Sequence, residues 1–147
     1  MPRKRPKSLD APVVVQARTL EAWAYKRADQ WKRSYRYTLI NEFRSHITLA
    51  KNNIINAFEL PNKCKEQKCM LYSAAMGALS IVESNMDIMI MPDFGIMSEK
   101  EWSEAAKMID DIRVALARLI NSLPKGASGS ELPIFGEEGV TAGYKDA

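Results

Sequence analysis

The sequence predicts an all-α protein, an antiparallel up-down-up-down bundle of four helices. Three observations predict it. Apolar residues recur at three-and-four spacing along four long stretches. Proline, asparagine and glycine punctuate the short connections between them. The third stretch, 66–91, is apolar on so much of its circumference that sister helices on one side and a partner or second copy on the other are needed to cover it.

In chain order, residues 1–11 read as a basic, proline-containing flexible arm with too little apolar surface to fold alone. It is either a solvated tail or a phosphate-binding arm. Pro12 suits the first position of a helix, and Val13, Ala17, Leu20, Ala24, Ala28 and Trp31 follow at helical spacing. A second helix is expected from about Thr38 to Phe58, with Leu39, Phe43, Ile47, Ala50, Ile54 and Phe58 facing inward. Leu60-Pro61-Asn62 ends it, and the short connection makes the next helix its antiparallel neighbour. That third helix stops at Met91-Pro92, and its Met76, Leu79, Val82 and Met86 are assigned to the oligomer interface. Ser98 and Glu101 form a capping box that opens the last helix, whose core stripe runs through Trp102, Ala105, Ile109, Ile112, Leu116, Leu119 and Leu123. The bundle therefore covers 12–123. Residues 124–147, rich in glycine and without helical period, read as a flexible tail in which Leu132-Pro133-Ile134-Phe135 is the one apolar cluster and a possible docking peptide.

One domain of this size holds a core without metals or disulfides. Cys64 and Cys69, five apart at the start of a helix, point in different directions and are not expected to pair, which suggests a cytoplasmic protein. Arg3, Lys4, Arg5 and Lys7 lead only to Val13–Val15 before Gln16 and Arg18 intervene, so no signal peptide is expected. Glu83 and Asp87 interrupt the longest apolar run, so neither is a membrane span.

Net charge is only +3, but residues 1–68 hold 15 lysines and arginines against 6 acids, whereas 69–147 hold 6 against 12. This asymmetry points to a polyanionic partner. Arg18, Lys26, Lys32, Arg33, Arg36, Arg44 and Lys51 are the candidate nucleic-acid-binding residues. Trp31, Tyr35 and Tyr37 interleave with the densest of these cations. Such a mixture suits RNA, with cations on phosphates and exposed rings on unpaired bases. The competing reading, favoured by their spacing, makes Trp31 and Tyr37 core anchors. Base-specific reading is not expected from the basic surface.

Catalysis has little support. One histidine, His46, lies off the apolar stripe, and it and two close cysteines supply neither a nucleophilic triad nor a zinc site. Asp110 and Asp111 are adjacent on a helix and splay apart. Asp93-Phe94-Gly95 matches the magnesium-binding tripeptide of protein kinases, but the other kinase motifs are missing and it reads as a turn. No cofactor or metal is expected, and a non-enzymatic binding or scaffolding role is the default.

The order Pro12-Val-Val-Val-Gln-Ala-Arg-Thr-Leu-Glu-Ala-Trp, Arg36-Tyr37-Thr38-Leu39, a long apolar third helix, and Ser98-Glu-Lys-Glu-Trp102 before Ile112-Arg113 resembles the Avd family. These are accessory variability determinants of diversity-generating retroelements, within the four-helix-bundle family that includes 23S rRNA intervening-sequence proteins. The chain departs from the family pattern at Trp31-Lys32, Ile40 and Ala115–Leu119. The resemblance implies a homopentameric barrel that binds a reverse transcriptase and its template RNA in mutagenic retrohoming. The alternatives are a self-assembling structural protein without nucleic-acid function, and a ribosomal-RNA-associated family member.

Overall fold

The structure is a computed structural model that describes residues 6–124; the 124–147 tail beyond Pro124, with its Leu132–Phe135 cluster, and the first five residues of the basic arm lie outside the described residues. Four helices, α1 (Pro12–Ala28), α2 (Asn41–Glu59), α3 (Lys65–Met89) and α4 (Glu99–Ser122), account for most of it, and the described residues contain no strand.

Cross-helix pairs fix an up-down-up-down order. Tyr25 and Glu21 of α1 meet Arg44 and Thr48 of α2, with rising number on one matched by falling number on the other. Phe58 of α2 packs edge-on against Tyr72 of α3. Trp102 at the start of α4 donates to Asp87 near the end of α3, while Arg113 further on donates to Ser80 and pairs with Glu83. Trp23 of α1 donates to Glu104 and closes the ring of four helices.

Each boundary has a local cause. Pro12 occupies the first turn of α1, where its missing N–H costs nothing. Leu60 precedes Pro61 and is extended, which ends α2. Buried Lys68 then donates 2.7 Å to the Ala57 carbonyl and lies over the Phe58 ring, placing a cation at the negative end of α2. Gly95 turns the chain after α3 at φ 57°, a region costly for any other residue, and Ile96 and Met97 both donate to the Met89 carbonyl. The expected box caps α4: Ser98 Oγ accepts from the Glu101 N–H and Glu101 returns the bond to the Ser98 N–H. Asp93-Phe94-Gly95 is the expected turn.

Two boundaries differ from the sequence reading. Lys7–Asp10, assigned to a flexible arm, form a 3-10 turn whose Ser8 hydroxyl donates to Glu59 at the end of α2. The second helix does not start as α-helix near Thr38. The chain leaves α1 at Asp29, makes a 3-10 turn at Arg33–Tyr35 and then a π-helical turn at Arg36–Ile40 that runs straight into α2.

The core holds Leu20, Phe43, Ile47, Ile54, Ile109, Ile112 and Leu116 at near-zero exposure, together with much of α3. The assignment of Leu79, Val82 and Met86 to an oligomer interface is therefore corrected. They are 1%, 0% and 0% exposed within one protomer, and Met76 is half-buried against the same core. The inward stripe of α3 is Tyr72-Ala75-Leu79-Val82-Met86-Met89. Its outward stripe, Met70-Ala74-Gly77-Ile81, is the one left uncovered. A helix apolar on both faces gives the periodicity no basis for ranking them.

Candidate nucleic-acid interface

The seven candidate cations divide by what already holds them. On the α1–α2 seam, Lys51 Nζ donates to both oxygens of Glu21 at 2.9 and 3.1 Å, and Thr48 Oγ1 donates to the same carboxylate at 2.6 Å. Burial pushes the Glu21 carboxyl up, but the hydrogen bonds from Thr48 and Lys51 and the Lys51 charge outweigh it and hold it below its ordinary range. Lys51 is thus committed within the protomer. Two turns back along α2, the Arg44 guanidinium lies 4.5 Å over the Tyr25 ring, and its buried Nε has no partner among the described residues. Lys32 is exposed but donates one hydrogen bond, 3.1 Å, to the Phe94 carbonyl.

Arg18, Lys26, Arg33 and Arg36 have no such partner among the described residues. Three of them, with Lys32, occupy the end of α1 and the connection to α2, so they share one end of the bundle. Arg27, in the same sequence run, is neutralised instead: it pairs with Glu104 at 3.5 Å and Glu101 at 4.0 Å and covers Trp23.

The interleaved aromatics also divide. Trp31 is buried, edge-on to Trp23 and Phe43, with its indole N–H shared between the two Glu101 oxygens. Tyr35 is half-buried against Phe94 at 5.5 Å. Tyr37 is 86% exposed. The core reading thus holds for Trp31 and is overturned for Tyr37. The π turn is the cause: it carries more residues per turn than an α-helix, so the register that buries Ile40 leaves Tyr37 pointing outward. Tyr25, half-exposed beneath Arg44, is a second surface ring that the sequence reading passed over. Its position beside Lys26 and off the Ala17-Leu20-Ala24-Ala28 stripe was the available signal.

Next to Tyr37, between the start of α2 and the end of α3, is an open cavity of about 450 Å³. Leu39, Glu42, Ser45, His46 and Asn85 help line it. His46 is half-buried, and its Nδ1 donates 2.9 Å to the Glu42 carbonyl, which leaves Nε2 as the acceptor of the neutral ring. Asn85 is buried, and its Nδ2 has no hydrogen-bond partner. An asparagine at a core position of an apolar helix was visible in the sequence and went unread.

No group of three or more His, Cys, Asp or Glu side chains suited to a metal occurs among the described residues. Cys64 and Cys69 are free thiols, and burial pushes the Cys69 thiol and the Tyr72 phenol up. Asp110 and Asp111 are exposed. No described helix is long and apolar enough to cross a membrane. In comparisons with known proteins, no family model and no curated protein matches the chain.

Proposed function

We propose that this chain is a non-catalytic accessory protein that binds single-stranded nucleic acid, acting with a reverse transcriptase and its template RNA in error-prone cDNA synthesis. This is the role its resemblance to the Avd family implies. The observation that carries the nucleic-acid part is one end of the bundle, which holds Lys26, Arg33 and Arg36, without protein partners among the described residues, and an exposed Tyr37. Unpaired cations supply sequence-independent phosphate attraction, and a wet aromatic ring supplies a stacking platform. Arg18 extends the charge along α1, and Lys32 retains two further N–H donors.

The protein works as a homo-oligomer, a pentamer by family resemblance, so that weak phosphate contacts repeat around an axis and add through multivalency. The outward stripe Met70-Ala74-Gly77-Ile81 of α3 is the face that favours self-association, with Met70 and Ile81 exposed and small residues between them.

A tagged pull-down from the native host at moderate salt, with proteins and RNA in the eluate identified, tests the reading. Recovery of a reverse transcriptase with its template RNA is expected. The alternative, a purely structural assembly, draws on the ion pairs that neutralise Lys51 and Arg27 inside the protomer. It predicts an oligomer free of nucleic acid at low salt.

A further inference from the structure

Beside the basic end, the cavity under Tyr37 has a polar chemistry that phosphate attraction does not explain. Asn85 is 8% exposed, yet its Nδ2 finds no acceptor among the described residues. Such a buried donor is costly, and native proteins keep few of them. Asn85 lies three and four residues from Val82 and Met89, both buried on α3, so it occupies a position where an apolar residue is the ordinary choice. Asn85 lines the cavity, and a turn of its amide about the soft χ2 torsion presents Nδ2 to a ligand there that supplies the missing acceptor.

The other walls restrict what that ligand is. The Glu42 carboxylate repels an anion, so a phosphate does not belong inside. The Glu42 carboxylate accepts hydrogen bonds, so the ligand carries donors as well as an acceptor, and with Nδ1 committed to the Glu42 carbonyl His46 leaves Nε2 as its free ring nitrogen. Tyr37, 86% exposed on the π turn at the rim, offers a flat π-face. Arg36 adjoins Tyr37 in the same turn and has no protein partner among the described residues, which places a phosphate-binding cation outside the cavity.

We infer that this cavity receives one unpaired nucleobase of a bound single strand, stacked on Tyr37, with a base carbonyl or ring nitrogen accepting from Asn85 Nδ2 and base N–H groups donating to Glu42 or His46. Uracil and guanine meet these demands with a keto oxygen and an imino N–H, cytosine with its carbonyl and amino group, and adenine with a ring nitrogen and its amino group. The cavity thus adds contacts to a base, whichever it is, on a surface whose other contacts are to phosphate. The inference rests on the nucleic-acid reading above.

The test measures binding of the full chain to oligo-uridine, oligo-adenosine and an abasic strand of equal charge across a salt series. Both base-bearing strands are expected to bind more tightly than the abasic strand. Tyr37→Ala should weaken oligo-uridine binding about tenfold with an unchanged salt slope, and Tyr37→Phe should restore it, since the ring and not the hydroxyl stacks. Asn85→Leu should bring oligo-uridine binding toward that of the abasic strand while raising the thermal midpoint, a combination that a merely structural asparagine would not give. Salt-dependent binding that is equal for abasic and oligo-uridine strands, or indifferent to Tyr37→Ala, overturns the base site and leaves the basic surface standing. Failure to bind any strand at low salt overturns the nucleic-acid reading, and the base site with it.

Discussion

Lys51 Nζ lies 2.9 Å from Glu21 Oε1 across the α1–α2 seam, with both side chains less than one-fifth exposed. The pair removes a cation from the basic surface and makes it a structural tie. Removing the lysine leaves the carboxylate half-buried with only Thr48 as donor. Lys51→Met should therefore lower stability by about 1–3 kcal/mol, read from urea unfolding at neutral pH. The same variant should leave the salt slope of RNA binding unchanged. A loss of slope would return Lys51 to the phosphate-binding set.

The pair also gives stability a pH dependence. The folded Glu21 carboxyl lies below its ordinary value of 4.5, so the unfolded chain binds the proton more readily. Its contribution is fully present above the unfolded value and is lost as pH falls through the folded one. Glu21→Gln should be less stable than wild type at pH 7, and the two unfolding midpoints should converge as the pH drops below about 5. A constant gap between the two down to strongly acid pH would mean that the ionised form of Glu21 is not favoured by folding.

Arg33 and Arg36 stand at the start of consecutive tight turns, and neither has a protein partner among the described residues. Reversing both, Arg33→Glu with Arg36→Glu, should weaken single-strand RNA binding and flatten the plot of log affinity against log salt by at least about 1.4, at about 0.7 per lost phosphate contact. Helical content should not change, since neither side chain is buried. Undiminished binding would place the interface elsewhere on the surface.

How far the chain could be read from sequence depended on whether a position answered to a periodic rule. The Ser98–Glu101 box, Pro12 and the stripe Ala105-Ile109-Ile112-Leu116 are local signals whose geometry follows from helix dimensions, and each is present as expected. The two sides of α3 were not separable that way, because Met70 and Ile81 are as apolar as Leu79 and Val82. The state of a cation was not legible either. Lys51 and Arg33 look alike in sequence, and only the register of α1 against α2 brings Glu21 to one and not the other. The exposure of Tyr37 depends on a π turn, for which Arg36-Tyr37-Thr38-Leu39-Ile40 carries no compositional mark.

Cys69 and Cys64 offer a direct check on the packing at the start of α3. Burial raises the Cys69 thiol, with a hydrogen bond to Ser73 opposing only part of that, so little reactive thiolate forms there. Cys64, at the α3 N-cap, is half-buried. A thiol-alkylating reagent at pH 7.5 should label native protein at Cys64 first, with Cys69 reacting at least tenfold more slowly until denaturant is added. Mass mapping of the labelled peptides reads the order. Equal labelling would show that this end of α3 opens readily.

Gly77 is the sharpest probe of self-association. It sits in the middle of α3, where glycine costs about 1 kcal/mol relative to alanine, and an added Cβ would meet nothing within 4 Å in the protomer. Nothing among the described residues accounts for it; the proposed self-association, with a second copy packed closely on the Met70-Ala74-Gly77-Ile81 stripe, would. Ile81→Glu, on that stripe and 44% exposed, should yield folded monomers by light scattering with helicity retained. Val82→Glu, fully buried, should unfold the chain instead. In the Ile81→Glu monomer, adding Gly77→Ala should raise stability by about 1 kcal/mol, whereas Gly77→Leu in the wild-type background should weaken assembly. An oligomer that survives both Ile81→Glu and Gly77→Leu is built on another face of the bundle.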